Sequence, residues 1–128
     1  MLTSTNGKAI YLLIADKIID EILSGKLRPG DRLLSVRDYA AEVQVNHNTV
    51  MRAYDHLSLR EVIFNRRGVG FFVSENAPAI AENLRSSQLL GKEIDKVFRQ
   101  LHLLGVSPEE LAEKYRNYIE NNSDKEEK

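Results

Sequence analysis

Four polar side chains stand in a row at the expected start of a helix, and they are well suited to recognising another molecule. They are Asn46, His47, Asn48 and Thr49. The amide of Asn48 can form a bidentate pair with an adenine edge in the DNA major groove, and His47 can contact a base or a phosphate. Asn46 and Thr49 can cap the helix and contact phosphate as well, because a helix N-terminus favours anions. The pattern predicts a helix whose first turn contacts DNA.

A basic side chain on the same helix extends this set. Arg52 lies one turn further along and can contact a phosphate or a base. It can also pair with Asp55, three residues later on the helix surface. We predict the contact with DNA.

A second group of basic side chains belongs to a predicted β-hairpin. Residues 62–64 and 71–73 are rich in β-branched and aromatic side chains, and a glycine-containing stretch separates them, which predicts two paired strands. Arg66, Arg67 and Gly68 would form the tip of this hairpin. Adjacent arginines on a hairpin are often merely solvated, but the glycines at the tip favour contact with the minor groove or the DNA backbone.

Three predicted helices and the hairpin must position these side chains. Residues 9–24 carry apolar side chains at three- and four-residue intervals, which is typical of an amphipathic helix. Ser35 can cap a second helix and Asn46 a third, with Gln44 in a connector that lacks the usual glycine. Gln44 therefore either takes a strained conformation or belongs to another type of turn. A helix, a helix-turn-helix and a hairpin make a winged-helix domain, which we assign to residues 1–76.

More than half of the chain carries motifs in a recognisable order. They run through AIYLLIADKIIDEILSGKLRPGDRLLSVRDYAAEVQVNHNTVMRAYDHL and on to NRRGVGFFV. In these segments residues 1–74 resemble the winged-helix domain of the GntR family of bacterial transcription regulators. The segment NHNTVMRAY and the short helical remainder are most similar to the YtrA-type subgroup.

The resemblance implies a function and a role for one further residue. Members of the subgroup resemble small dimeric repressors, often encoded beside ABC transporters, so it implies a homodimer that binds a pseudo-palindromic DNA operator. It also implies that Arg37, whose family counterpart contacts DNA, does so here instead of pairing with Asp31 or Asp38.

The chain departs from the family pattern at four positions. Leu34 stands where the family usually has proline, and Glu61 stands where it commonly has glycine. His47 replaces an arginine or a proline of relatives. Met51 replaces an arginine that contacts DNA in several larger relatives, so we do not assign that role to Met51. The last two departures bear on the operator sequence.

The remainder of the chain predicts a helical dimerisation region at residues 77–121 and a disordered tail at residues 122–128. One helix through Leu104 would carry a heptad-like apolar stripe, and a second helix would begin at Pro108 after a capping serine. The predicted dimer contacts are Leu84, Gly91, Ile94, Phe98, Leu101, Leu111 and Tyr115. So short a region can scarcely enclose a drug-sized pocket of roughly 300 Å³ within one chain. A site for an unknown small-molecule effector at the dimer interface remains an alternative.

Composition and sequence pattern argue against several other classes of protein. Hydrophobic content of 42% and charged content of 29% are ordinary for a soluble globular chain. No apolar run approaches the ~20 residues that span a bilayer, and the N-terminus does not resemble a signal peptide. The chain has no cysteine and a net charge of −1. We therefore expect a cytoplasmic protein with no membrane partner, no metal and no cofactor.

Two other functions fit the sequence less well than DNA binding. Catalysis is not expected, because His47, His56 and His102 are scattered and no serine or cysteine nucleophile accompanies them. The second is a winged-helix adaptor that binds proteins without specific DNA binding, which a net charge near zero would suit. The first 74 residues carry ten basic and eight acidic side chains and the rest eight and eleven, so the basic side chains are slightly concentrated where DNA contact is predicted.

Overall fold

The structure, a computed structural model, describes residues 8–126, with side chains described as far as Asn122. Its elements in chain order are α1 (Ile10–Leu23), α2 (Val36–Val43), α3 (His47–Leu59), β1 (Ile63–Arg66), β2 (Gly70–Val73), α4 (Ala77–Gln88), α5 (Ile94–Leu103) and α6 (Pro108–Glu126). It divides into two compact units, of which the first ends at Arg85 and the second begins at Ser86. The predicted winged-helix fold, mainly α with a β-hairpin, is confirmed.

The core of the first unit holds α1 against α3. Ile14, Ile18 and Ile22 lie four residues apart on one face of α1, and all three are buried. They belong to the same hydrophobic cluster as Val50 and Leu57 of α3. Burying a side chain of this size contributes about 1.5–3 kcal/mol. The apolar stripe of α1 therefore fixes the position of α3.

The turn between α2 and α3 uses the strained conformation that the sequence allowed for Gln44. The Ser35 hydroxyl accepts a hydrogen bond from the backbone N–H of Asp38 at 3.0 Å and caps α2. Gln44 ends α2 with φ 57° and ψ 51°, in the left-handed region. Asn46 then starts α3, because its side-chain oxygen accepts from the backbone N–H of Asn48 at 2.7 Å. Both predicted N-caps are confirmed.

The hairpin pairs β1 with β2 in an antiparallel register that runs from Ile63↔Val73 to Arg66↔Gly70. The segment before α2 lies along the other edge of β2, where the Leu33 backbone N–H donates to the Phe71 carbonyl at 2.9 Å. The Phe71 ring packs against Tyr54 of α3, with ring centroids 5.0 Å apart. β2 is therefore bonded along both edges and tied to α3.

The start of α4 is part of the first unit. Ala77 and Ala81 are buried in its core, and Ile80 and Leu84 pack against that core. The Arg85 guanidinium forms a salt bridge of 2.6 Å with Asp20 of α1. The first unit therefore continues beyond residue 76, where the predicted winged-helix domain ended.

The second unit contains a break that the sequence did not predict. Between α4 and α5, residues Leu89–Glu93 form a single irregular turn in which Gly91 has φ −89° and ψ −117°, outside helical values. The single helix expected through Leu104 is therefore wrong. The Ser107 hydroxyl caps α6 by accepting from the Glu110 backbone N–H at 3.1 Å, as predicted. α6 continues to Glu126, into the predicted disordered tail, whose last two residues lie outside the described range.

Candidate nucleic-acid interface

The burial of α3 determines which of its side chains face outward. Val50, Ala53, Tyr54 and Leu57 are all 0% exposed. Their spacing of three and four residues places them on one side of the helix. His47 and Asn48, which precede the first of them, are exposed. The first turn of α3 therefore presents two polar side chains to the surroundings on a helix that cannot rotate without exposing its core face.

The N-terminus of α3 is also favourable for an anion. Asn46 uses its side-chain oxygen for the cap, so its role in folding is visible without any ligand. The first turn carries no acidic residue, so nothing there neutralises the partial positive charge of the helix end. Thr49 is half-buried and its backbone N–H donates to the Asn46 carbonyl at 3.0 Å. Of the four predicted residues, Asn46, His47 and Asn48 are exposed, and among these Asn46 uses its side chain for the cap.

Arg52 contacts α1 instead of its predicted neighbour on α3. Its guanidinium carbon lies 4.1 Å from the centre of the Tyr11 ring, within cation–π distance. Within the described residues it forms no salt bridge with Asp55. An exposed arginine held over a ring keeps N–H groups at its edge for another acceptor, because the ring occupies only the face of the guanidinium.

The Tyr11 ring also contacts His56 of α3, and His56 in turn lies beside Arg60, the residue that follows the helix. Tyr11 meets His56 edge-on, with ring centroids 5.9 Å apart. The His56 Nδ1 atom lies 3.2 Å from Nη1 of Arg60. Burial, and then the charge of Arg60, lower the pKa of His56 below its ordinary value. A neutral imidazole is therefore favoured in this cluster. Sequence reasoning missed Tyr11, since nothing in its spacing sets it apart from the other residues of α1.

Arg37 is the second residue of α2 and is exposed. The salt bridges among the described residues do not include it, so the alternative pairing with Asp31 or Asp38 is not formed. Its guanidinium is free of those two carboxylates and available to an external anion.

The hairpin tip places both predicted arginines in solvent. The Val69 backbone N–H donates to the Arg66 carbonyl at 2.9 Å, which closes the turn, and Gly68 has φ 78° as that turn requires. The Arg66 guanidinium carbon lies 5.2 Å from the centre of the Phe72 ring. Arg67 is exposed at the tip itself.

A third arginine, Arg32, fastens the tip to the rest of the first unit. Its Nη2 atom donates to the Val69 carbonyl at 2.5 Å. A Cβ at Gly70 would lie only 3.1 Å from the Arg32 Nε atom, so this position favours glycine. Sequence reasoning missed Arg32, because its hydrogen-bond partner Val69 lies 37 residues further along the chain.

These features suit recognition by hydrogen bonds and charge. Over the described residues, no group of three or more histidine, aspartate and glutamate side chains could hold a metal ion. No helix in that part of the chain is long and apolar enough to cross a membrane. The fold and the surface together define a winged-helix protein with an exposed polar helix start and a basic hairpin.

Comparison with known proteins identifies the family within this class of winged-helix proteins. Residues 10–73 match the model of the GntR family, described as bacterial regulatory proteins. The chain belongs to the GntR family, as the sequence resemblance predicted.

Relatives of nearly the same length support the assignment. The HTH-type transcriptional regulator YhcF of Bacillus subtilis is 34% identical over 115 residues, covering 90% of this chain and 93% of that protein. The transcriptional repressor YtrA of the same organism is 33% identical over 104 residues, covering 81% and 79%. The crystal structure of a GntR-family regulator from Bacteroides thetaiotaomicron is 47% identical, with a TM-score of 0.79 over 88% of this chain and 99% of that one. The similarity to YtrA supports the predicted subgroup.

Proposed function

We propose that this protein is a homodimeric transcription repressor that binds a pseudo-palindromic DNA operator through α3. The observation that carries the proposal is the first turn of α3, where His47 and Asn48 are exposed on a helix whose opposite face is buried. An α-helix fits the major groove, and N-terminal residues of such a helix contact base edges. α3 is called the recognition helix below.

The residues divide between base contact and phosphate contact. Asn48 has the exposed amide that can pair with adenine, and His47 lies beside it for a base or a phosphate. Asn46, Thr49 and the acid-free start of the recognition helix favour a phosphate. Arg37 and Arg52 would contact phosphates on either side, and Arg66, Arg67 and Gly68 would contact the minor groove or its backbone.

The second unit supports the homodimer. In its described residues none is buried, whereas several large apolar side chains are at least two-fifths exposed. They are Leu89, Leu90, Val97, Phe98, Leu103, Leu104, Tyr115, Tyr118 and Ile119. Monomeric proteins rarely leave large contiguous apolar patches in water. A second copy related by a two-fold axis would cover this surface and set two recognition helices about 34 Å apart, on successive turns of the major groove.

The residues predicted to form the dimer contacts differ in how much of each side chain is exposed to a partner. Phe98 and Tyr115 are exposed, and Ile94, Leu101 and Leu111 are half-buried. Leu84 packs on the core of the first unit, so much of its apolar surface is already covered within the chain. Gly91 lies in the irregular turn.

The targets are proposed from the family alone. Small repressors of this kind often act on the operon that encodes them, and for the YtrA-type subgroup this operon often encodes an ABC transporter. DNA from the protein's own promoter is therefore the operator source to test first.

The test is binding of the full chain to its own promoter DNA over a range of salt concentrations. Arg37, Arg52, Arg66 and Arg67 from two protomers would make about eight phosphate contacts, so affinity should fall roughly 10⁴-fold between 50 and 200 mM salt. Specific DNA should bind far more tightly than random DNA of equal length. A salt-independent complex, or equal affinity for both DNAs, would contradict the proposal. A monomer that binds no DNA would instead support the winged-helix adaptor.

A further inference from the structure

The recognition helix carries a large apolar side chain next to its proposed base-contacting residues. Met51 is 39% exposed, although it lies on a helix whose apolar side is completely buried. It follows His47 by four residues and Asn48 by three, so the three side chains lie on the same face of the helix. The proposed base-contacting surface is therefore polar at its start and apolar one turn later.

The major groove offers one apolar group that distinguishes a base. Each base edge presents hydrogen-bond donors and acceptors there, and thymine alone adds a C5-methyl group. A methionine side chain is unbranched and polarisable, so it can adapt to a methyl group at the floor of the groove. It offers no strong donor or acceptor of its own.

We propose that Met51 contacts a thymine methyl group in the operator and thereby selects that base. The inference rests on the proposed function, because it requires the recognition helix to lie in the major groove. It assigns to Met51 a role different from that of an arginine, whose guanidinium would select guanine through O6 and N7. The operator half-site is therefore expected to carry a thymine where an arginine at this position would select guanine.

The geometry also limits where this thymine lies. Side chains three residues apart on a helix start about 5–6 Å from each other. Successive base pairs are separated by about 3.4 Å along the duplex. The thymine that Met51 contacts should therefore lie within about two base pairs of the adenine that pairs with Asn48, on either strand.

The experiment removes the methyl group from the DNA and leaves every hydrogen bond in place. Each thymine of the bound promoter fragment is replaced in turn by deoxyuridine, and the affinity of the full-length protein is measured for each fragment. Losing contact with one methyl group should weaken binding about fourfold per half-site. The loss of affinity should occur at one or two thymines per half-site, close to the adenine that pairs with Asn48. That adenine is identified as the one whose replacement weakens binding by the wild type but not by Asn48→Ala.

The Met51→Ala variant links the effect to this side chain. It should bind the unmodified operator more weakly than the wild type does, and deoxyuridine at the same position should no longer weaken its binding. Met51→Leu should keep part of the sensitivity to deoxyuridine. Leu59→Ala is the matched control, because Leu59 is an 81% exposed apolar residue at the other end of the same helix. It should bind and discriminate as the wild type does.

The possible outcomes distinguish a failure of the inference about Met51 from a failure of the proposed function. Specific binding that no deoxyuridine weakens would overturn the inference and leave the proposed function intact. The same would follow if Met51→Ala kept the full sensitivity at the same thymine. Absence of specific DNA binding by the wild type would overturn both.

Discussion

Two residues of the first unit hold a backbone conformation that normally suits glycine. Gln44 has φ 57° and Glu61 has φ 63°. Side chains with a Cβ disfavour this left-handed region by about 1–2 kcal/mol. The family pattern that the sequence resembles commonly has glycine where this chain has Glu61, and the left-handed backbone at this position accounts for that glycine. Glu61 lies in the connection between the recognition helix, which ends at Leu59, and β1, which begins at Ile63.

Replacing Glu61 by glycine should therefore stabilise the protein. We expect Glu61→Gly to raise the free energy of unfolding by about 0.5–1 kcal/mol, because the relieved strain exceeds the added flexibility of the unfolded chain. Urea denaturation measures this change. Glu75→Gly is the control, since Glu75 is an exposed residue outside the left-handed region and should gain nothing. A loss of stability for Glu61→Gly equal to that of Glu75→Gly would refute the explanation.

Single-residue roles were predictable where they depend on neighbours in the sequence. Ser35, Asn46 and Ser107 cap helices as expected, because a cap bonds to a backbone N–H two or three residues later. The partner of Arg52 was not predictable. Asp55 is closer in sequence, but the folded core brings Tyr11 of α1 to the guanidinium. Contacts of this kind depend on how helices pack.

At the scale of elements, the hairpin depends on a segment far from it in sequence. Arg32 donates to the Val69 carbonyl and its side chain lies against Gly70. The same segment extends the sheet through the hydrogen bond from Leu33 to Phe71. The hairpin tip is thus positioned by the residues before α2, so its two exposed arginines are held on an anchored element.

Arg32→Lys should loosen this tip while keeping the charge. An ammonium group lacks the planar set of donors that lets the guanidinium reach Val69 and lie along Gly70. We expect faster amide hydrogen exchange at Val69 and Gly70, unchanged exchange in α1, and weaker operator binding. Arg28→Lys is the control, because Arg28 is exposed and its described hydrogen bonds, both with Asp31, are made by its backbone N–H and carbonyl groups. Unchanged exchange at the tip in Arg32→Lys would show that Arg32 does not anchor it.

The elements themselves were predicted well in the first unit and less well in the second. Periodic apolar residues and strong caps located α1, α2, α3 and the hairpin, because there each signal agrees with its neighbours. The heptad-like spacing from Leu84 to Leu101 suggested an unbroken helix. Gly91 interrupts it with a non-helical backbone. A glycine within a helical pattern is tolerated in many helices, so the sequence alone does not show that the helix stops there.

At the scale of the whole molecule, the exposed apolar side chains of the second unit form the proposed dimer surface. Phe98→Glu should give a monomer, because a charge placed in an apolar dimer contact must be desolvated. The first unit should stay folded, and operator affinity should fall steeply, since a monomer contacts only one half-site. Light scattering gives the mass and circular dichroism checks the fold.

Gln100→Glu is the matched control for that experiment. Gln100 is an exposed residue of the same helix, and its replacement adds the same charge without removing an apolar side chain. It should leave the mass and the operator affinity unchanged. A wild-type protein that is already monomeric, or a Phe98→Glu protein with an unchanged mass, would count against the proposed dimer surface.

The candidate site as a whole was predictable in residue type more than in arrangement. Exposure of Arg37, His47, Asn48, Arg66 and Arg67 agrees with the sequence interpretation. The contacts that hold Arg52 and the hairpin tip required the folded core. Fold and family follow from many weak signals that agree, whereas the proposed base contacts depend on a few side chains.

The most direct test of the central claim compares Asn48→Ala with the wild type on two DNAs. We predict a loss of about 1–3 kcal/mol on the operator and a much smaller loss on random DNA, because an amide that pairs with a base contributes only where that base is present. Asn83→Ala, at an exposed asparagine of α4, should change neither affinity. Equal losses on both DNAs, or no loss on the operator, would contradict recognition of bases by the first turn of α3.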